Sequence, residues 1–133
     1  MNFFITGGSG FLGSYIVKKL VENGHSVKIF DDMSRGSLEK IGDFRNRIQI
    51  VNGDIRDENR LDDIFAKHRP EIVFHAAALK HVPIVENNVI EAAFTNIIGT
   101  KNVCDMSLKH NVNKVVGIST DKAVNPTSLM GVT

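Results

Sequence analysis

The chain has 133 residues, and its 16 basic and 15 acidic side chains, a net charge of +1, are interspersed along it, with neither a nucleic-acid footprint nor a polybasic membrane segment. A hydrophobic content of 42% suits one buried core, and the length suits one domain, expected over residues 1–133. No apolar run approaches the roughly 20 residues that span a bilayer, no signal pattern opens the chain, and the lone Cys104 excludes an intrachain disulfide, so a soluble cytoplasmic domain is expected.

Strand and helix patterns alternate from the first residues. Residues 2–6 form an apolar strand that runs straight into Gly7-Gly8-Ser9-Gly10-Phe11-Leu12-Gly13. A helix is expected over 11–23, with Leu12, Ile16 and Leu20 on one face and Gly24 as its C′ residue. A second strand, 26–30, ends at Asp31. Ser34-Arg35-Gly36-Ser37 is a loop, with Ser37 capping a short helix through about 44. The third strand is 48–51, and Asp57 begins a helix carrying Leu61, Ile64 and Phe65, which Pro70 ends. The fourth strand, 71–75, enters the run Ala76-Ala77-Ala78, read as a loop bracketed by His75 and Pro83. One long helix is expected over 86–110, with Gly99 a weak point inside it, then a fifth strand over 114–118. Apolar strands without polar alternation, each followed by a helix, predict an α/β fold: a Rossmann-like, doubly wound parallel sheet of order 3-2-1-4-5, with ligands at the carboxyl ends of the strands. Residues 126–133 start a further helix where a sixth strand is still expected.

The order strand, glycine turn, helix is what pyrophosphate binding requires. A helix N-terminus offers unpaired N–H groups and the positive end of its dipole, and only glycine lets a phosphate reach that backbone. Gly7, Gly10 and Gly13, with Phe11 and Leu12 between them, form the expected phosphate cradle; a structural glycine turn is the plainer reading. Asp31 follows Gly13 by 18 residues, near the roughly 20 expected of a ribose-binding acid. A carboxylate there accepts from both ribose hydroxyls and repels the additional phosphate of NADP, so NAD is the expected cofactor. Asp32 competes for the role, with Ser34 and Arg35 beside it, and an acidic pair that merely caps the loop is the alternative. Asp54 is placed to accept from the adenine amino group, with Ile55 packing on the ring, against the alternative of a turn aspartate after Gly53. Ala76, Ala77 and Ala78 are small where a cofactor passes close to the backbone. His75 and His81 lack a carboxylate or cysteine partner at ligand spacing, so no metal site is expected. Thr120, Asp121 and Lys122 bring a hydroxyl, a carboxylate and an ammonium to the end of the fifth strand, as catalytic groups or as an N-cap cluster.

These stretches together resemble the extended short-chain dehydrogenase/reductases, specifically the CapD-like nucleotide-sugar 4,6-dehydratases of polysaccharide biosynthesis. The match rests on residues 6–13, on 75–83 (HAAALKHVP), on Asn96 within 95–100, and on 119–126 (STDKAVNP). The resemblance implies a UDP-sugar substrate such as UDP-N-acetylglucosamine and a homo-oligomer. It implies that Thr120 bonds the sugar 4-hydroxyl, that Asp121 and Lys122 are acid and base for loss of water across C5 and C6, and that Lys80 and Asn96 order the nicotinamide ribose and the active-site loop. Met130 stands where the superfamily's tyrosine of Tyr-x-x-x-Lys would fall, as in a methionine subclass of the family. The lysine of that motif falls one residue past Thr133, and the C-terminal substrate-binding region is expected to be absent. A UDP-sugar 4-epimerase, which shares the glycine loop and Asp31, and a cofactor-binding module without turnover are the alternatives.

Overall fold

The computed structural model describes all residues from Met1 to Thr133. Five parallel strands, β1 (Asn2–Thr6), β2 (Ser26–Asp31), β3 (Gln49–Asn52), β4 (Ile72–His75) and β5 (Lys114–Gly117), form one sheet of order β3-β2-β1-β4-β5. The central strand β1 sorts its residues by the twofold period of a strand. Phe4 joins Phe30, Phe65, Val73, Val103 and Met106 on one face. Phe3 and Ile5 join Val17, Val21, Val27, Ile29 and Ile41 on the other. Each face is covered by helices, which is why the strands carry no polar alternation. Phe4 is wholly buried and packs edge-on to Phe65 with ring centroids 4.8 Å apart. Truncating such a ring in a core costs about 3–5 kcal/mol.

Helix α1 (Phe11–Glu22) starts at Gly10 with no side-chain cap, and Gly24 after it takes φ +77°. Helix α2 (Glu58–His68) is capped by Asp57, whose carboxylate accepts from the Arg60 N–H at 2.9 Å. The segment expected as one short helix from Ser37 is two 3-10 turns, Leu38–Lys40 and Gly42–Arg47, divided at Ile41, whose side chain plugs the α1 face of the sheet.

The long helix expected over 86–110 differs more. It begins earlier, as α3 (Val82–Asn87) with Pro83 in its first turn, where proline's missing N–H costs nothing. Residues 76–78 are in a loop as expected, and Pro83 closes that loop from inside the first turn of α3. Asn88, at φ −136° and ψ 57°, breaks the helix, and α4 (Val89–Ala93) resumes it. A π-helical stretch, Phe94–Gly99, then leads into α5 (Thr100–Lys109). Such wide turns add a residue to the ladder and re-aim the helix beyond them. A last short helix, α6 (Leu129–Val132), packs on α3, placing Met130 with Val85 and Ala92 in a small separate core.

Candidate functional site

A cleft opens at the carboxyl ends of β1, β2, β3 and β4, where the sheet's strand order reverses. Its floor is the glycine turn. Gly7 adopts φ +69°, and a Cβ there would lie 2.7 Å from the Ala76 backbone, so the turn and the β4 loop are in direct backbone contact. A Cβ on Gly13 would lie 2.1 Å from the Gly7 carbonyl oxygen, which makes this glycine the seat of α1 on the turn. The backbone N–H groups of Phe11, Leu12 and Gly13 have no acceptor within the protein. They are the free donors that the start of this 12-residue helix can offer to an anion. Ser9 Oγ is wholly buried beneath Gly36 and has no hydrogen-bond partner. The residues present therefore fit a dinucleotide.

Asp31 lies buried at the tip of β2. Its Oδ2 accepts from the Ser9 N–H at 2.9 Å and its Oδ1 from the Met33 N–H at 3.0 Å, so the carboxylate ties the glycine turn to the loop after β2. A carboxylate offers about four lone-pair positions, and two remain for ligand hydroxyls. Asp32 instead accepts from the N–H (3.0 Å) and hydroxyl (2.7 Å) of Ser34, the local loop-capping arrangement. Asp31, Asp32, Ser34 and Arg35 all line the cleft.

Across the cleft, Asp54 and Ile55 form the wall after β3. Arg56 grips the Asp54 carboxylate through Nη2 at 2.5 Å and Nε at 2.8 Å, and reaches Glu91 through Nη1 at 2.8 Å. That guanidinium holds the Asp54 carboxyl below the usual carboxylate range. Ala76, Ala77 and Ala78 complete the third wall. Behind them His75 is buried between two hydroxyls, Thr6 Oγ1 at 2.6 Å and Thr100 Oγ1 at 2.8 Å, and burial pushes its pKa down to about 4.

Of the other expected residues, Phe11 and Leu12 turn their side chains to solvent, so only their backbone faces the anion site. Gly13 and Lys80 lie outside the cleft lining. Asn96 is also outside it, but its side chain accepts from the Leu79 N–H (2.8 Å) and donates to the Leu79 carbonyl (3.0 Å) and Thr133 Oγ1 (3.0 Å). It therefore clamps the β4 loop. Thr120, Asp121 and Lys122 gather after β5. Thr120 accepts from the Lys122 N–H at 3.3 Å and donates to Asp121 Oδ1 at 3.1 Å, while Lys122 Nζ stands 3.6 Å from Asp121. The cluster is thus also an N-cap of the 3-10 turn Asp121–Ala123, and the Thr120 hydroxyl, then the Lys122 charge, lower the Asp121 pKa. Met130 does not reach the cleft; it is buried in the α3–α6 core. Phe30, Gly36, Gly53, Leu79 and Thr95 also line the cleft and were not singled out from sequence. Gly36 and Gly53 had a signal, since each follows a strand end; Cβ atoms there would lie 1.7 Å from Ser9 Oγ and 2.3 Å from the Phe30 ring.

A family model described as polysaccharide biosynthesis protein matches residues 3–133. Among curated relatives, an uncharacterized membrane protein of Methanocaldococcus jannaschii is 42% identical, over 97% of this chain and 39% of the relative. The UDP-N-acetylglucosamine 4,6-dehydratase (inverting) of Campylobacter jejuni is 40% identical, over 99% of this chain and 40% of its own length. Among solved structures, the Thermotoga maritima UDP-glucose 4-epimerase with UDP-glucose superposes with a TM-score of 0.93 at 35% identity, covering 99% of this chain and 47% of that one. The Thermus thermophilus UDP-glucose 4-epimerase complex with NAD superposes at 0.80 and 28% identity, over 86% of this chain and 36% of that one. The chain spans about two-fifths of the length of these two curated relatives. No helix in it is long and apolar enough to cross a membrane.

Proposed function

The chain belongs to the polysaccharide biosynthesis protein family, and from that premise we propose that it is the dinucleotide-binding part of an NAD-dependent nucleotide-sugar 4,6-dehydratase. One observation carries the nucleotide reading: a glycine turn in backbone contact with the β4 loop, under free helix N–H groups and beside a buried carboxylate. The phosphates sit on the N–H groups of Phe11, Leu12 and Gly13. Asp31 takes the adenosine ribose and disfavours a 2′-phosphate, which makes NAD the preferred cofactor. Asp54 accepts from the adenine amino group and Ile55 packs on the ring. Lys80 and Asn96 order the nicotinamide end, Asn96 through its hold on Leu79. When bound, the nicotinamide supplies a hydride acceptor for sugar C4 and later a hydride donor for C6.

Thr120 holds the 4-hydroxyl. Loss of water across C5 and C6 needs one group to take the C5 proton and one to protonate the departing hydroxyl, and Asp121 with Lys122 supplies both. In the free chain Asp121 is held as a carboxylate by Thr120 and Lys122. Its acid role therefore requires substrate to cover the site, since desolvation favours the protonated carboxyl. Met130 takes the tyrosine's place in sequence without supplying a base, which leaves the proton chemistry to this pair. The substrate is a UDP-sugar, UDP-N-acetylglucosamine being the one named for the C. jejuni relative. An exposed free Cys104 suits a reducing cytoplasm.

Product analysis with UDP-N-acetylglucosamine on the complete enzyme tests the proposal. A 4-keto-6-deoxy sugar is expected. A C4 epimer would establish the epimerase reading that the structural neighbours favour, and NAD binding without any product would leave a binding module. In that enzyme Lys122→Ala and Asp121→Asn are each expected to lower turnover by about 100-fold or more, and near-normal turnover in both would move the proton chemistry elsewhere.

A further inference from the structure

The wall of the cleft after β3 is held from a distant part of the chain. Asn102, buried in α5, donates its two side-chain N–H bonds to the carbonyls of Ile55 (3.1 Å) and Arg56 (3.2 Å). One turn earlier Gly99 lets the backbone come so close that a Cβ there would lie 2.4 Å from Ile55 Cδ1. On α4, Glu91 holds the far side of the Arg56 guanidinium. The π-helical stretch between them, Phe94–Gly99, shifts the helix ladder by a residue. Glu91 before that stretch meets Arg56, Gly99 at its end meets Ile55, and Asn102 beyond it meets both. The turn carbonyls of Ile55 and Arg56 lie beyond β3, and a loop carbonyl without a ladder partner needs some other donor. Ile55 directly follows Asp54 and Arg56 comes next, and the Asp54 carboxylate is itself oriented by the Arg56 guanidinium and backbone N–H.

We propose that Asn102 is a positioning residue for the base end of the nucleotide site, setting Asp54 and Ile55 at the depth and angle at which they meet an adenine ring. This rests on the nucleotide reading above and names a determinant of its base specificity. Asn102 touches no ligand; it acts through the Ile55 and Arg56 carbonyls. Without the amide the turn loses both donors, Arg56 is freed to move with its backbone, and the Asp54 carboxylate no longer has a defined direction. The loss falls on recognition of the base, whereas the glycine turn in the floor and Asp31 across the cleft keep their own bonds.

The test compares ADP-ribose with its hypoxanthine counterpart, which lacks the amino group, by calorimetric titration of the 133-residue chain. A ratio of two affinities on one sample is insensitive to the folded fraction, so a merely structural role for Asn102 leaves it unmoved. The unaltered chain is expected to favour ADP-ribose by roughly tenfold or more, the scale of a hydrogen bond to a charged group, and Asn102→Ala to bring the preference within about twofold. Should Asn102→Ala fail to fold, Asn102→Ser, which keeps one short donor, is measured instead, with a reduced preference expected. A retained preference in the folded variant overturns the role of Asn102 alone. Binding of both ligands by the unaltered chain without preference overturns Asp54 as the base reader and this proposal with it, while the nucleotide site stands. No binding of ADP-ribose at all overturns the nucleotide reading as well.

Discussion

Burial decides the charge of His75. Each neighbouring hydroxyl, Thr6 and Thr100, can donate or accept, so a neutral ring is satisfied in either tautomer, whereas a protonated ring would be a buried cation with no carboxylate beside it. With the pKa pushed down to about 4 in the fold against about 6.5 in the unfolded chain, the unfolded state binds the extra proton. The stability is fully present above pH 6.5 and drains as the pH falls toward 4, by about 3 kcal/mol from this group. Urea denaturation across that window is expected to show a steeper loss in the unaltered chain than in His75→Gln; parallel slopes would remove the buried neutral ring. Asp31 supports a second expectation. NAD should bind more tightly than NADP, and Asp31→Asn, which keeps one acceptor oxygen, should narrow the difference; equal affinities in the unaltered chain would discard the ribose assignment. The place of Asp31 was legible from its spacing after Gly13, because a strand and a helix of known rise fix that distance. Its bond to the Ser9 N–H was not, nor were the hydroxyls that flank His75, since partners 69 and 25 residues away leave no local pattern.

The strand–turn–helix element at the N-terminus separates two kinds of glycine. Gly13 is required by space: a Cβ would lie 2.1 Å from the Gly7 oxygen and 2.8 Å from Gly8 Cα, both backbone atoms that cannot turn aside. Gly24 is required by conformation alone, at φ +77° with nothing near it. Gly13→Ala is therefore expected to lift α1 off the turn, destabilising the chain by about 1–3 kcal/mol or more and abolishing NAD binding. Gly24→Ala should cost about 1–2 kcal/mol, the penalty of a left-handed residue, with NAD affinity unchanged. Thermal melting and titration of both variants check this, and intact NAD binding in Gly13→Ala would show that α1 need not touch the turn. The turn of this element was legible because glycine spacing encodes it directly, but the packing face of its helix was not: Leu12 is exposed, and Val17 and Val21 carry the burial. The arm from α3 to α5 was not legible either. Its π-helical stretch and the residue after it meet tertiary demands, the grip on Leu79, Ile55 and His75, that composition and periodicity do not express. The early start at Val82 did have a signal, since Pro83 suits a first helical turn as well as a loop.

At the scale of the molecule the sheet has two edges of different character. β3 ends the sheet on one side with Gln49 and Asn52 exposed at its ends. β5 ends it on the other, pairing only with β4 through residues 114–117, and its outer side presents unpaired backbone groups beside Val115, itself 38% exposed, and Ile118, 39% exposed. Lys114 is the only charge on that strand. Such an edge is a template for another strand. The strand order that creates it was legible because right-handed crossovers between parallel strands leave few alternatives. A second apolar surface, formed by Ile90, Phe94 and Ile97 on α4 and the stretch after it, is also exposed, so two surfaces compete to drive association. Lys114 at one end is the single charge guarding the β5 edge, which favours strand pairing, and the 133-residue chain is expected to self-associate at micromolar concentration by light scattering. Val115→Lys, a charge of the kind that guards natural sheet edges, should return it toward a monomer while leaving NAD affinity intact, because β5 contributes nothing to the cleft lining. Association that survives Val115→Lys but is lost in Phe94→Glu would move the contact to the helical surface, and a monodisperse unaltered chain would show that neither surface is sticky enough to pair.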